Sequence, residues 1–222
     1  MTGGVRNPLD LPSRMPVFPV SGAILLPFGQ LPLTVFEPRY LHLVDDALGR
    51  GRIVAMVQPR LGVDEPVHDD APLYAVGTAA RIVHFQETGD GRYLITLEGM
   101  ARFRVAAVSP AEPGRGYRWV DADYAPYRAD VHPTEHETGP GRDRLLELMR
   151  VYFDDKAIEA DWSAVADAPY EALVASLAMS CPFEPTEKQA LLECARHEQR
   201  AEMLISLFEM SAIQPDVRSV RH

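Results

Sequence analysis

The spacing of hydrophobic and polar residues predicts short strands in the first half of this chain. Apolar runs at residues 16–20, 31–36 and 52–58 are each bounded by glycine, proline or serine, which is typical of strands separated by turns. Pro38 follows the second run at a position where a first helical turn tolerates a missing N–H. Apolar residues then recur at three- and four-residue spacing up to Leu48, which predicts an amphipathic helix.

A series of hairpins is expected from residue 74 onwards. Residues 74–88 form one long strand or two strands, and the Gly89–Asp90–Gly91 stretch supplies a tight turn. Residues 92–98 alternate in polarity, so we expect Tyr93, Ile95 and Leu97 on one face of a strand. We expect Gly99 to end this strand. Residues 101–108 and 117–127 are then two further extended segments.

Helical periodicity dominates the last third of the chain. Residues 145–153 read as one amphipathic helix, and a second helix after Asp167 carries Leu173 and Leu177. Thr186 and Gln189 have the spacing of a capping box, which predicts a third helix extending to about residue 212. The stretch 128–142 is polar and contains both proline and glycine, so it is the best linker candidate.

These elements divide the chain into five segments. We predict a flexible lead-in at 1–14, a β-rich subdomain at 15–127, a linker at 128–142, a helical subdomain at 143–212 and a tail at 213–222. The fold class is therefore α+β. Short strands with one inserted helix suggest a small antiparallel barrel or two packed sheets, followed by helices that end in a long one.

Composition lowers the expectation of several functions. The net charge of −10 disfavours nucleic-acid and anionic-membrane binding, which depend on basic surfaces. No apolar run approaches the ~20 residues of a membrane-spanning helix, and the N-terminus has no apolar signal core, so a cytoplasmic location is expected. The two cysteines, Cys181 and Cys194, form no CxxC pair and have no zinc-ligand spacing.

The search for reactive groups yields little, so we expect no catalytic residue, no cofactor and no metal. The chain has no GxxxxGK[ST] loop for a nucleotide and no GxSxG nucleophile elbow. His132 and His136 are four residues apart, but the intervening Pro133 argues for a solvated loop and against a zinc pair.

Several separated motifs resemble one family. PVFPV at 16–20, LLPFGQLPL at 25–33, the FEPRY box at 36–40 and the 77–105 hairpin are similar to the N-terminal, substrate-recognition domain of Lon protease. The helical end of the chain, residues 177–210, is similar as well. The resemblance covers about residues 15–212 and implies a PUA-like pseudo-barrel, standing alone without the ATPase and protease modules of Lon.

The resemblance implies a non-enzymatic protein-binding module of bacterial type. Its partners would be unfolded or degradation-tagged polypeptides, with a separate ATP-dependent protease as a further partner; the oligomeric state is left open. Such polypeptides would enter an apolar groove or pair with an open sheet edge. Two alternatives are an ATP-independent hydrolase, built from Ser176, Ser180 or Cys181 near His197, and an RNA-binding PUA-like protein.

Two sets of residues are candidates for recognition. The first contains motif residues with either a recognition or a structural role: Phe36, Glu37, Pro38, Arg39, Tyr40, Gly99 and Arg104. In the structural alternative, Phe36 and Tyr40 pack the corner while Glu37 or Arg39 secures a loop. The second set contains apolar residues that would contact a bound peptide: Phe18, Leu26, Phe28, Leu33 and Phe85.

Overall fold

The computed structural model describes residues 11–60, 67–68, 70–131 and 141–213, which form two compact units. The first unit contains the described residues before position 134 together with Pro182–Glu193; the second contains the described parts of Thr134–Cys181 and Cys194–His222. The elements are β1 Arg14–Pro19, β2 Gln30–Val35, α1 Pro38–Gly49, β3 Ile53–Val57, β4 Val76–Glu87, β5 Tyr93–Ser109, β6 Trp119–Asp123, a 3-10 segment Ala125–Val131, α2 Arg142–Asp155, α3 Trp162–Asp167, α4 Tyr170–Ser180, α5 Pro185–Glu193 and α6 His197–Ile213.

The first unit contains a six-stranded sheet in which five strands close into a barrel and β2 extends from β5. The strand order is β2-β5-β4-β3-β1-β6, and β6 also pairs with β5. Every pairing is antiparallel except that of β1 with β3, which is parallel because β2 and α1 intervene in the chain between them. The predicted α+β class with a pseudo-barrel and one inserted helix is confirmed, and the parallel pair is its one departure from an antiparallel barrel.

The barrel interior explains the apolar runs of the sequence. Its buried residues come from five strands and are Met15, Val17, Ala55, Val57, Ala79, Phe103 and Val120. The set contains both small and large side chains, as is usual where a small barrel is filled by side chains. The apolar runs predicted at 16–20 and 52–58 thus correspond to β1 and β3, two strands of this barrel.

Strand β5 is a single continuous strand, so the predicted break at Gly99 is wrong. The first half of β5 pairs with β2 and the second half with β6, while β4 pairs along most of its length. Gly99 serves a different purpose. A Cβ atom at Gly99 would lie 2.1 Å from the carbonyl oxygen of Leu26, so only glycine lets the Leu25–Leu26 backbone approach the strand.

The loop before β2 is held against the barrel by this close approach. Ile24, Leu25 and Leu26 are buried, and the Thr78 hydroxyl donates a 2.6 Å hydrogen bond to the carbonyl of Leu25. Phe28 N–H donates to the carbonyl of Gly99, and Gly99 N–H donates to the carbonyl of Gly29. These bonds determine the register at which β2 begins.

Helix α5 belongs to the barrel unit. Two predictions about this part of the chain, the length of the last helix and its capping box, are wrong. The predicted long helix is interrupted between Glu193 and His197, giving α5 and α6. The predicted capping box of Thr186 and Gln189 is also wrong, because Glu187 reaches back to the Glu184 N–H at 2.9 Å. Gln189 instead turns toward the barrel, where its side-chain amide donates to the carbonyl of Val76.

The interruption between α5 and α6 has a non-local cause. In a continuous helix, the Leu192 carbonyl would accept from the Arg196 N–H. Here Leu192 accepts a 2.9 Å hydrogen bond from Arg102 of β5, and Arg196 N–H donates to the side chain of Gln199. The predicted helical subdomain at 143–212 therefore does not coincide with the second compact unit.

Helix α6 is the centre of the second unit, and α2 and α4 pack on it. Buried residues from these three helices form the core of this unit: Leu145, Met149, Tyr170, Val174, Ala201, Leu204 and Phe208. Helix α3 was not predicted; Asp161 begins it by accepting from the N–H groups of Ser163 and Ala164. The predicted cap for the next helix, Asp167, ends α3, and α4 begins after Pro169.

The other predicted segments fall partly outside the described residues. These include most of the lead-in, most of the linker with His132 and His136, and the tail. Residues 128–131 of the predicted linker lie in the 3-10 segment. Within the described part of the chain, no helix combines the length and apolar character needed to span a membrane.

Candidate functional site

The FEPRY box forms the corner between β2 and α1. Glu37 has extended backbone angles and precedes the helix, and Pro38 occupies its first turn. The Glu37 carboxylate makes no cap to the helix. It accepts instead from Nε and Nη2 of Arg39, at 3.1 and 2.7 Å. This charge-assisted pair pins the backbone where the chain turns from strand to helix.

Arg39 also secures a loop. Its Nη2 donates to the carbonyl of Val67 at 2.5 Å, and its guanidinium lies 4.6 Å from the centre of the Tyr40 ring. Tyr40 packs edge-on against Phe18 at 5.0 Å. The space beside these side chains is about 10 Å³, which holds no more than one water. The geometry therefore supports the structural reading of Glu37, Arg39 and Tyr40.

Phe36 departs from the structural reading. It was expected to pack the corner with Tyr40, but it is 63% exposed, so that expectation is wrong. Val35, the preceding residue, is buried, and side chains alternate between the two faces of a strand. Phe36 is consequently an aromatic side chain offered to solvent at the end of β2.

Phe28 is a second exposed aromatic side chain, at the opposite end of β2. It is 61% exposed and has a φ of +64°. Leu26 accepts a hydrogen bond from the Gly29 N–H at 3.0 Å, so Pro27 and Phe28 are the central residues of a tight turn. Proline followed by a residue of positive φ matches a type II turn, in which glycine or asparagine is normally third. A phenylalanine there is strained and gains little burial in return.

The remaining apolar candidates divide by burial. Phe18 and Leu26 are buried and are not presented to a polypeptide in this structure. Leu33 is half-buried on β2. Phe85 is half-buried on β4 and packs edge-on against Tyr93 at 4.9 Å.

Strand β2 with the adjoining halves of β4 and β5 forms a three-stranded layer that extends beyond β3. Register places Leu33 beside Ile95, and Ile95 beside Phe85, on one face of this layer. On its exterior, Val83 and Leu94 are exposed. We call the apolar side chains of this layer and of the two ends of β2 the aromatic surface. Leu33 and Phe85 lie on one face and Leu94 on the other, and the whole set is Phe28, Leu33, Phe36, Val83, Phe85 and Leu94.

The free edge of β2 lacks one hydrogen-bond donor. Gly99 N–H donates to the carbonyl of Gly29. By the antiparallel pattern, the backbone N–H and C=O groups of residues 31, 33 and 35 then point toward β5, and those of residues 30, 32 and 34 point to the free edge. Residue 32 is proline and has no N–H to offer. A proline at this position protects an edge from pairing with another strand. Strand addition at β2, one of the two recognition modes considered above, is thus disfavoured.

The arginines of β5 are tied down by carboxylates. Arg102 is buried, and its Nε and Nη2 bond to Asp130 at 2.8 and 2.7 Å. Arg104 pairs with Asp123 at 2.5 Å, directly across from it on β6. The close approach at Gly99 and the ion pair of Arg104 give both motif residues a structural explanation.

A cleft of about 600 Å³ opens between the end of the barrel and α5. Its lining residues lie around the link from β3 to β4 and along one side of α5: Arg60, Tyr74, Ala75, Thr186, Gln189, Ala190 and Glu193. Sequence analysis did not identify this cleft, because its two sides are separated by more than a hundred residues, as in the contact of Gln189 with Val76.

A small electrostatic network joins α1 to the segment before β6. Asp46 accepts hydrogen bonds from Tyr117 and, at 2.8 Å, from Arg115. Burial and the adjacent Asp46 carboxylate raise the pKa of Tyr117 to about 12. Burial likewise raises the pKa of Tyr124 well above its ordinary value.

The groups proposed for a hydrolase lie in the second unit. The nearest carboxylates to His197 are Glu171, at 3.5 Å from Nδ1, and Glu198, at 3.3 Å from Nε2. Cys181 is buried, which removes its thiol from any substrate in solution. The described residues contain no group of three or more His, Cys, Asp or Glu side chains that could hold a metal ion.

Comparison with known proteins gives a consistent assignment. Residues 14–209 match the family model described as the ATP-dependent protease La (LON) substrate-binding domain. "Lon protease 2" of Sorangium cellulosum is 39% identical over 101 residues, which are 45% of this chain and 12% of that protein. "Lon protease 2" of Thermus thermophilus is 27% identical over 213 residues, which are 90% of this chain and 24% of that protein.

Two solved structures show the same fold. A Lon N-terminal domain protein from Xanthomonas campestris has a TM-score of 0.61 and 25% identity, over 87% of this chain and 97% of that one. The N-terminal domain of a Mycobacterium avium complex Lon protease has the same TM-score at 19% identity, over 88% and 98% of the two chains. The chain thus spans about a quarter or less of the full-length proteases above and nearly all of each isolated domain.

Proposed function

Because this chain belongs to the family of ATP-dependent protease La (LON) substrate-binding domains, we propose that it binds unfolded polypeptides through the aromatic surface. The matched family is a substrate-recognition domain and not a catalytic module. The finer parts of the proposal are that the protein has no enzymatic activity of its own, acts in the cytoplasm and serves Lon-type proteolysis.

The observation that carries the proposal is the conformation of Phe28. Its positive φ is unfavourable for a bulky residue by about 1–2 kcal/mol. An aromatic ring that is mostly exposed returns little of that energy to the folded state. Backbone strain of this kind is concentrated at ligand-binding positions.

The composition of the aromatic surface matches the chemistry of an unfolded chain. Unfolded polypeptides expose apolar side chains that folded proteins bury. Phe28 and Phe36 supply large exposed rings at the two ends of β2, and Leu33 and Phe85 supply half-buried contacts near it. Aromatic side chains provide much contact area for little loss of conformational entropy, which suits the recognition of many sequences.

Polypeptides would therefore contact side chains of this surface more than the β2 edge. Pro32 removes a main-chain donor from that edge, so regular strand addition would lose a hydrogen bond there. This arrangement also limits pairing between copies of the barrel. The surface can then remain exposed with less risk of edge-to-edge aggregation.

The proposal is tested by comparing one model protein in two states. Binding of a fluorescent, reduced and carboxymethylated protein is measured by anisotropy beside binding of its native, disulfide-bonded form. We expect saturable binding of the unfolded form alone, weakened severalfold by Phe28→Ala. Val151→Ala is the matched control, since Val151 is an exposed apolar residue of α2 in the other unit. Equal and negligible binding of both forms would reject the proposal.

A further inference from the structure

The cleft between the barrel and α5 is lined by Gln189, whose buried side chain is hydrogen-bonded to a second buried glutamine, Gln58. Gln58 and Gln189 are both 2% exposed. The Gln58 amide donates to the side-chain oxygen of Gln189 at 3.1 Å and to the carbonyl of Pro185 at 3.2 Å. Its own oxygen accepts from Gly22 N–H at 3.1 Å. Buried, fully hydrogen-bonded amides of this kind hold a unique arrangement.

Gln189 also orients the carboxylate of Glu193, another residue of the cleft. Its side-chain nitrogen donates to the carbonyl of Val76 at 3.2 Å and to Glu193 Oε1 at 2.8 Å. Both N–H groups of the amide are thereby used, so Gln189 has no donor left for a ligand. Glu193 is exposed and is held in place through Oε1, while its Oε2 has no hydrogen-bond partner among the residues that the structure describes.

Three further polar side chains line the cleft and have hydrogen-bonding groups that could serve a ligand. Arg60 uses Nε to bond the carbonyl of Leu73 at 3.2 Å, which orients its guanidinium; among the described residues its two terminal nitrogens are unspent. In the described part of the chain, the Tyr74 and Thr186 hydroxyls have no hydrogen-bond partner. A cation, a carboxylate and two hydroxyls therefore face one open space.

The floor of the cleft is apolar and is formed by small side chains. Ala75 and Ala190 contribute only methyl groups, and the Tyr74 ring adds an aromatic side. The volume of about 600 Å³ is within the range of sites that take small ligands or short peptide segments. A ligand for this site combines an anionic group, N–H donors and an apolar side chain.

We propose that this cleft binds the free carboxy-terminal end of an extended polypeptide. The terminal carboxylate pairs with the unspent nitrogens of Arg60, and N–H groups of the last residues donate to Glu193 Oε2 and to the hydroxyl oxygens. The last side chain lies on Ala75, Ala190 and the Tyr74 ring. This inference rests on the proposed polypeptide-binding function and adds a second, end-specific site to it.

The negative net charge of the protein restricts which anions can bind in the cleft. A chain with a net charge of −10 repels anions in general. An anion binds here only if a localised cation outweighs that repulsion, and Glu193 at the same cleft penalises a ligand with several negative charges. One carboxylate next to backbone N–H groups, as at a chain terminus, fits this balance better than an acidic cluster.

The test uses three fluorescent peptides of one apolar sequence. The first ends in a free carboxylate, the second in a carboxamide, and the third in a carboxamide preceded by an internal aspartate. Fluorescence anisotropy with the wild-type chain is expected to show about tenfold tighter binding of the first peptide than of the other two, the scale of one charge-assisted hydrogen bond.

Variants connect that preference to the cleft. Arg60→Gln is expected to remove the preference and bring the first peptide to the affinity of the second. Arg14→Gln is the control, since Arg14 is an exposed arginine of β1 outside the cleft. Ala75→Leu places a larger side chain on the floor of the cleft. It is expected to weaken binding of the first peptide without affecting binding of a large unfolded protein to the aromatic surface.

The outcomes separate the two proposals. Equal affinity for the carboxylate and carboxamide peptides overturns the terminal site, even if unfolded protein still binds. Equal affinity for the first and third peptides overturns it in favour of general acidic recognition. A preference that survives Arg60→Gln also overturns it, because the carboxylate would then be bound elsewhere.

Discussion

Replacing Phe28 in two ways separates its ring from its backbone strain. Phe28→Ala removes the ring but keeps a residue with a Cβ at φ +64°. Phe28→Gly removes the ring and the strain together, since glycine adopts positive φ freely. Both variants lose the same aromatic contact, so we expect the same severalfold loss of affinity for unfolded polypeptide from each.

The stabilities of the two variants should differ. With 61% of the residue exposed, the ring loses a minor part of the ~1.5–3 kcal/mol of a fully buried side chain, so Phe28→Ala costs about 1 kcal/mol. Relief of positive φ is worth about 1–2 kcal/mol, and the extra unfolded-state entropy of glycine subtracts about 0.5–1 kcal/mol. Phe28→Gly should therefore be more stable than Phe28→Ala by roughly 0.5–1 kcal/mol.

Urea unfolding followed by circular dichroism measures this difference, and the anisotropy assay measures binding in the same preparations. The difference corresponds to a rise in Tm of roughly 1–4 °C for a chain of this size. A glycine variant less stable than the alanine variant would show that the turn is unstrained. Full binding by both variants would show that the ring has no part in recognition.

Three other changes test the scaffold. Gly99→Ala should destabilise the fold by more than about 2 kcal/mol, because its Cβ meets a backbone carbonyl, while Gly89→Ala, with open space around it, should be near neutral in urea unfolding. Arg102→Met should cost about 3–5 kcal/mol by leaving the Asp130 carboxylate buried and unpaired, and adding Asp130→Leu should recover part of that loss. Since the folded pKa of Tyr117 is raised to about 12, the wild type should lose stability as pH rises from about 10 toward 12, where the unfolded chain releases this proton and the folded chain keeps it. Tyr117→Phe should show a smaller loss across that window when urea midpoints are compared; an identical pH dependence would contradict the assignment.

Local sequence patterns were sufficient for the first strands, the first helix and the fold class. The apolar runs located β1, β2 and β3, and Pro38 correctly marked the start of α1. The FEPRY box was partly interpretable: Arg39 secures a loop, as the structural alternative expected, but its ion pair with Glu37 was not predicted. Periodicity and turn residues act over short distances, so a single sequence reveals them.

Features set by distant contacts were not predictable. Gly99 resembled a strand break, because nothing nearby in sequence indicates that the Leu26 carbonyl approaches it. The division between α5 and α6 depends on Arg102, which takes the Leu192 carbonyl from the helix ladder. The cleft requires α5 to lie against the barrel, which long-range contacts such as those of Gln189 with Val76 and Gln58 show.

The exposed rings were only partly foreseeable. Phe28 between Pro27 and Gly29 carried a usable signal, since the middle of a Pro–X–Gly turn is generally exposed and favours small residues. Phe36 carried the opposite signal, because an aromatic residue at a strand-to-helix corner commonly packs inward. Its exposure follows from the alternation that buries Val35.

Hydrogen exchange read by mass spectrometry tests the central claim most directly, because it locates the polypeptide on the chain. Exchange is compared for the protein alone and in the presence of saturating reduced and carboxymethylated model protein. We expect slower exchange in peptides covering the turn at Phe28, strand β2 through Phe36, and the β4–β5 hairpin, with unchanged exchange in α2 and α6. Protection confined to the helices, or no protection under conditions where binding is saturated, would contradict the assignment of recognition to the aromatic surface.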